Sequence, residues 1–428
     1  MSNVEHRQAC RNPKHGRIPK HGRTMTLTPS GGIVGAMLVG GLLAAVPAHA
    51  ASARAARGHA PTETVLRSFQ ASPDGGGPLA SLIKVDGTLY GTTYGGGPTG
   101  LGTVFEITAA GVETVLYNFK GGADGSRPEG KLVNEKGTLY GVTTTGGTGT
   151  ACGSQGCGTV FSLSPGGAET VLYSFQGGSD GSSPESLRRV GNKFFGTTYN
   201  GGPGNCFGGC GTVFSVTKAG VESVVYSFQG GSDGRWPYAG LIDVGGTLYG
   251  TTWLGGASTF GTVFSVTTTG VETVLHAFGS GTDGSGPVGG LINVGGTFYG
   301  TTSLGGAAGA GTVYSVTPSG QETVLYSFLG QSSGDGSTPG SSLINAGGVL
   351  YGLTQRGGTG TACNNGCGTV FKVTPAGVET PLYSFQGGSD GELPYETDLI
   401  KMGGVLYGTT PDGGAAGQGT VFQLTHFR

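Results

Sequence analysis

One unit of sequence recurs seven times in this chain, and its period limits the folds available to it. Tyr-Gly-x-Thr, with Phe for Tyr in one copy, begins at Tyr90, Tyr140, Phe195, Tyr249, Tyr299, Tyr351 and Tyr407. Around each copy the order is Asp-Gly-x-x-Pro, Leu-Tyr-Gly-Thr-Thr, Gly-Thr-Val-Phe and Glu-Thr-Val-Leu-Tyr-Ser-Phe, with small variations. Repeats of about 50 residues carrying several strands each predict a β-propeller, in which neighbouring units cover one another's apolar faces.

The first full unit predicts four strands. Leu82-Ile83-Lys84-Val85 leads through the turn Asp86-Gly87 into Thr88–Thr93, a β-branched and aromatic run. A Gly-rich loop precedes Gly102–Thr108, and the turn Ala109-Ala110-Gly111 leads into Glu113–Phe119. Two tight connections in four strands indicate an antiparallel meander. In a regular fourth strand Val115, Tyr117 and Phe119 share one face and Leu116 takes the other, as expected of a blade covered on both sides. Glycine makes up 93 of the 428 residues, and its fixed positions between these runs read as turn punctuation rather than low complexity.

The repeat is cut so that its ends complete each other. Glu63–Phe69 is a fourth strand with no blade before it, and Gly419–Phe422 is a third strand with no fourth after it. The expected fold is therefore all-β, a seven-bladed propeller of four-stranded antiparallel blades, closed by the N-terminal strand over residues 62–428. Pro381 stands where other copies carry Val, which places that fourth strand at a blade edge.

Residues 1–50 read as an export signal. Arg7, Arg11, Lys14, Arg17, Lys20 and Arg23 precede an apolar stretch from Ile33 to Val46, and Ala48-His49-Ala50 gives a small-x-small cleavage site. Residues 51–61 then form a linker. Signal removal leaves 17 basic and 24 acidic residues of the 23 and 25 in the whole chain, a net charge of −7. With no basic patch, nucleic acid is not an expected partner. The chain stops at His426-Phe427-Arg428 without an apolar tail, so a secreted or periplasmic protein with no membrane anchor is expected. Six of the seven cysteines form the local pairs Cys152/Cys157, Cys206/Cys210 and Cys363/Cys367, which export favours as disulfides. Two-ligand zinc sites without histidine are the alternative for these pairs.

Through Leu-Tyr-Gly-Thr-Thr, Gly-Thr-Val-Phe and Glu-Thr-Val-Leu-Tyr-Ser-Phe the sequence resembles the GloVer tandem repeats of bacterial surface and secreted proteins, over almost all of residues 62–428. The resemblance implies a propeller and an extracellular setting, and it brings no catalytic residues.

A binding face can be chosen from loop lengths. The second-to-third-strand loop has eight residues in four copies and twelve to fourteen in the three Cys-bearing copies. It shares a face with the blade-to-blade crossover, whereas the opposite turns are short and uniform. Binding is expected on the loop-rich face. Variable residues there are the candidates: Tyr94, Tyr199, Trp253, Gln355 and Arg356 after Tyr-Gly-x-Thr, and Arg127, Arg235, Trp236, Tyr238, Glu392 and Tyr395 in the crossover. Aromatic rings and a few charges suit a glycan or an extracellular protein, and packing between loops is the alternative. Asp74, Asp124, Asp180, Asp233, Asp283, Asp335 and Asp390 occupy the same crossover position, which reads as a turn stabiliser ahead of a Ca²⁺ site. No metal or cofactor is expected.

Catalysis has little to rest on. His276 replaces the repeat tyrosine, and no Ser/His/Asp arrangement appears. Glu129, Glu392, Glu396 and Asp412 could supply a carboxylate pair for sugar chemistry, with no indication that any two meet. The expected function is a non-catalytic binding module. An extracellular carbohydrate-active enzyme and a structural envelope component are the alternatives.

Overall fold

A computed structural model describes residues 60–427 of the chain; the expected signal and nearly all of the linker lie outside the described residues. Among the described residues seven antiparallel sheets follow one another. In blade 1 the strands Ile83–Val85, Thr88–Thr93, Thr103–Ile107 and Glu113–Asn118 pair in sequence order, from the central channel to the rim. In blades 2 and 6 a short crossover strand, Ser126–Pro128 or Gly336–Pro339, also pairs with the second strand. Blade 3 runs crossover and inner strand together as Ser182–Val190.

The ring closes as its permuted repeat requires. Thr62–Ser68 pairs antiparallel with Thr420–Thr425, the third strand of blade 7. Pro381 lies in Glu379–Ser384, the edge strand of blade 6, where its missing N–H breaks no ladder. Among the described residues no helix is long and apolar enough to cross a membrane.

Apolar cores sit between blades. The Phe ending each outer strand meets, edge to face, the aromatic residue of Gly-Thr-Val-Phe on the next blade. Ring centroids are 5.2 Å apart for Phe119–Phe161 and 5.0 Å for Phe175–Phe214. The closing interface repeats the contact, since Phe69 of the N-terminal strand meets Phe105 of blade 1 at 5.2 Å. Two glycines of the repeat make this approach possible. A Cβ at Gly91 would lie 2.7 Å from Phe105 Cζ, so glycine in the second strand admits the ring. Gly102 has φ +98°, and its Cβ would strike the Thr93 carbonyl oxygen at 2.4 Å and Pro128 Cδ at 2.6 Å.

The regular alternation expected for the outer strand is corrected by a bulge. Val115 pairs with Phe105 but Tyr117 pairs with Val104, so Leu116 is the extra residue. Tyr117 is thereby moved to the face opposite Val115. Corresponding register shifts occur in the outer strands of all the blades. The consequence is that Glu113 faces the preceding blade while Tyr117 faces the following one.

The crossover aspartate uses both directions. Asp124 accepts the Lys120 backbone N–H at 2.6 Å and the Tyr117 hydroxyl at 2.5 Å, both from the blade it leaves. Asp180, Asp233, Asp335 and Asp390 repeat the pair of bonds with their own tyrosines. Arg67 takes the tyrosine's place at Asp74, and His276 at Asp283. The turn-stabilising reading thus holds for the backbone bond, and the link to the outer strand is an addition to it.

The glutamate of the next blade's outer strand approaches the same aspartate. Burial, reinforced by Asp180, pushes the Glu222 carboxyl up to about 8. Burial and Asp390 do the same for Glu63, also to about 8, and burial and Asp124 raise Glu169 to about 7. Glu113 is raised by burial, with Arg67 opposing and Asp74 adding to the shift. Two close carboxyl groups in a poorly solvated seam share a proton more readily than they both ionise.

A second sevenfold tie joins the crossover to the loop of the blade it leaves. The residue before the crossover proline has positive φ in every copy: Gly77, Arg127, Ser183, Trp236, Gly286, Thr338 and Leu393, from +53° to +63°. Its N–H donates to the last residue of the preceding second-to-third-strand loop, as in Arg127 to the Leu101 carbonyl at 2.8 Å and Trp236 to Cys210 at 2.7 Å. The left-handed conformation is costly for a β-branched residue such as Thr338, and glycine fills the position in two blades.

Thr338→Gly is expected to raise unfolding stability by about 0.5–1 kcal/mol, the left-handed penalty less glycine's entropy cost. Denaturant melts check this, and a loss of stability would contradict it. The raised glutamates give a pH prediction. Their folded pKa values exceed the unfolded value of about 4.3, so the folded state binds more protons. Their contribution is complete at acid pH and is lost as pH climbs through 7 to 8. The melting temperature should fall between pH 5 and pH 8.5, with a smaller fall in Glu222→Gln, whose amide retains a donor toward Asp180.

Candidate functional site

The residues that follow the crossover proline enter the central channel. They line a cavity of about 450 Å³ together with the first residues of the inner strands. Ile242, Ile292 and Ile344 form part of its apolar wall. Toward the loop-rich face it gathers four carboxyl groups from three blades: Glu129, Glu185, Glu396 and Asp398. Lys131 and Arg188 are the cations in the lining, and Lys131 Nζ lies 3.9 Å from Asp398 Oδ2. Glu129 and Glu185 are each 6% exposed.

Hydrogen bonds between neighbouring blades fix the wall. The Gly290 N–H donates to Ser342 Oγ at 3.0 Å, Ser342 N–H to Asp398 Oδ1 at 2.8 Å, and Asp398 N–H to Ser81 Oγ at 2.9 Å. A run of polar atoms therefore passes from blade 5 through blades 6 and 7 to blade 1. Above it the Tyr238 hydroxyl donates to Glu396 Oε1. Tyr238 belongs to blade 4 and Glu396 to blade 7, so this bond joins blades that are not neighbours, at the channel mouth.

The expected aromatic residues are partly brought together. Tyr199 stacks on Trp236 at 5.8 Å, meets Tyr238 edge-on at 5.7 Å, and Trp236 lies 5.8 Å from Trp253. The Arg235 guanidinium covers Trp236 at 4.8 Å, and the indole N–H donates to the Gly209 carbonyl at 3.1 Å. Tyr199 and Trp236 are buried, so their faces are largely spent on one another. Tyr238 alone of the four lines the cavity.

The remaining candidates lie elsewhere. Tyr94 is half-buried beneath the Arg127 guanidinium, 5.3 Å from its ring centre. Tyr395 is buried against Gly340. Arg356 is buried, its guanidinium desolvated, and its Nη1 donates to the Asn364 carbonyl at 2.6 Å. Of the four carboxylates weighed for a pair, the structure brings Glu129 and Glu396 into one cavity. Glu392 and Asp412 meet outside it, in blade 7, where their backbones pair and burial together with Asp412 raises the Glu392 carboxyl.

Glu185, Asp398, Lys131 and Arg188 were not anticipated. For Glu185 the signal lies in the position after Asp-Gly-x-x-Pro, where Leu79, Glu129, Glu185, Tyr238, Val288, Gly340 and Tyr395 change from copy to copy inside an unchanging frame. Lys131, Arg188 and Asp398 stand three or four residues beyond the proline, with no such signal.

The three cysteine pairs are disulfides, Cys152–Cys157, Cys206–Cys210 and Cys363–Cys367, with Cα atoms 5.3, 5.0 and 5.1 Å apart. The second cysteine of each is within 1% of complete burial in an interblade core. Each bridge thus anchors its loop base as well as shortening its free span. Phe207, between two of these cysteines, is 77% exposed at the loop tip.

No curated protein matches the chain. Solved structures show likeness of chain path at low identity. The computationally designed Ika8 protein shares 13% identity, with 82% of this chain and 98% of that one covered and a TM-score of 0.44. A gluconolactonase of Xanthomonas campestris shares 15%, with 68% and 85% covered and a TM-score of 0.40. The family model described as Gloeobacter/Verrucomicrobia repeat matches residues 56–207, 149–364 and 269–427. These overlapping matches run through the whole propeller, and the chain belongs to the Gloeobacter/Verrucomicrobia repeat family.

Proposed function

We propose that the protein is an exported, non-catalytic binding module that holds a short glycan at the mouth of its central channel. The observation that carries this reading is the cavity of about 450 Å³, where side chains of different blades converge on one space. Its volume falls in the range of small-molecule sites. Carboxylates and a tyrosine accept and donate to sugar hydroxyls, and the apolar wall suits the C–H face of a sugar ring. Export is supported by three disulfides, which persist in oxidising compartments. On this reading residues 1–50 are removed and 51–61 remain as a linker.

A carbohydrate-active enzyme is the second reading, favoured by one observation: Glu129 and Glu396 line the same cavity. A polysaccharide and oligosaccharide array, read for binding and for released sugars, separates the two. Glu396→Gln weakens the hold on Tyr238 and should lower glycan affinity at least tenfold with the melting temperature kept within about 2 °C. Unchanged affinity would remove the channel mouth as the site. Sugar release abolished by Glu129→Gln would replace the module with the enzyme.

A further inference from the structure

Two of the seven interfaces replace the outer-strand tyrosine, one with Arg67 and one with a side chain that can bind a metal ion. Between blades 4 and 5 the outer-strand tyrosine is replaced by His276. Its Nε2 lies 3.1 Å from Asp283 Oδ1, in the place the tyrosine hydroxyl takes at five of the interfaces. Glu322, from the outer strand of blade 5, brings a carboxylate oxygen to the same point. The imidazole nitrogen and one oxygen of each acid all lie within 4.8 Å of one another.

We propose that His276, Asp283 and Glu322 form a site for a divalent transition-metal ion, zinc first, that clamps blade 4 to blade 5. A neutral imidazole and two carboxylates are a recurring zinc set, bound at about 2.0–2.2 Å. Tetrahedral geometry at that bond length separates adjacent ligand atoms by about 3.3 Å. The His276–Asp283 spacing of 3.1 Å is close to this value, and the Glu322 oxygen, within 4.8 Å of both, has to move inward to reach it.

Three features support a ligand beyond a simple exchange of tyrosine for histidine. Glu322 Oε1 is buried and has no hydrogen-bond partner, so a polar atom at this seam is left without a counterpart. The same glutamate oxygen is unpartnered at the other six interfaces, but there the third corner is a phenol or, at Asp74, a guanidinium. Only this interface adds a metal-binding nitrogen. The ligands are also held in place. Asp283 Oδ2 receives the Gly279 backbone N–H, and the His276 ring packs edge-on against Phe278 at 4.9 Å. Such outer contacts orient ligating groups. His276 and Asp283 side chains keep 19% and 24% of their exposure, which leaves a path for the ion and room for a water as fourth ligand.

The inference is independent of the channel ligand. Untagged protein freed of metal with a chelator would be titrated with zinc chloride by calorimetry, with thermal melts in parallel. The expected result is one zinc per chain and a raised melting temperature. His276→Tyr restores the residue of the repeat and should keep the zinc-free melting temperature while weakening zinc binding at least a hundredfold. Glu322→Gln should weaken it at least tenfold. Absence of binding by the unaltered protein would overturn the proposal, as would equal affinity and stoichiometry in His276→Tyr.

Discussion

The crossover aspartate is the constraint on which the rest of the propeller depends. It stands where one blade ends and the next begins, and it fastens both. Its carboxylate accepts from the backbone N–H at the end of the outer strand and from the tyrosine of that strand, and it stands beside the glutamate of the following blade, whose carboxyl is raised by burial and by this aspartate. A blade tilted away from its neighbour would strip these groups of partners in a seam that water reaches poorly, where unpaired polar atoms are costly. The bulge at Leu116 and its counterparts serves the same end, since it lets one strand offer glutamate backward and tyrosine forward.

The same anchoring delivers the variable residues. Asp-Gly-x-x-Pro fixes the direction in which the chain turns inward, and the residues just after the proline then face the channel. Their backbone path is the same in most blades, so their side chains can change without cost to the ring. A repeat of this kind separates two tasks: residues identical in every copy hold blades together, and residues that differ at one position give the channel a different lining from blade to blade. The unlike side chains around the channel, Glu129, Glu185, Tyr238 and Val288, are what such a separation produces.

Much of the architecture was legible because its signals are local and repeated. Blade number followed from the period, ring closure from the split motif, the edge strand from Pro381, and the disulfides from close cysteine pairs. The bulge was not legible, because apolar residues occupy both faces of the outer strand and alternation there conceals a shift of one. The aspartate–glutamate pairing joins residues about 45 apart in different blades, such as Asp124 and Glu169, beyond the reach of local pattern. Of the aromatic residues chosen on the loop-rich face, Tyr238 lines the channel cavity, whereas Trp236 and Tyr199 turn toward each other. An aromatic side chain in a variable loop has the same sequence signature whether it meets a ligand or another ring.

A crystal structure of the protein with an oligosaccharide selected by array binding tests the central claim most directly. The account predicts sugar density in the central channel, in contact with Tyr238 and Glu396 between blades 4 and 7. Density confined to the outer rim, for example at the exposed Phe207 loop, with the channel holding only water, would contradict it.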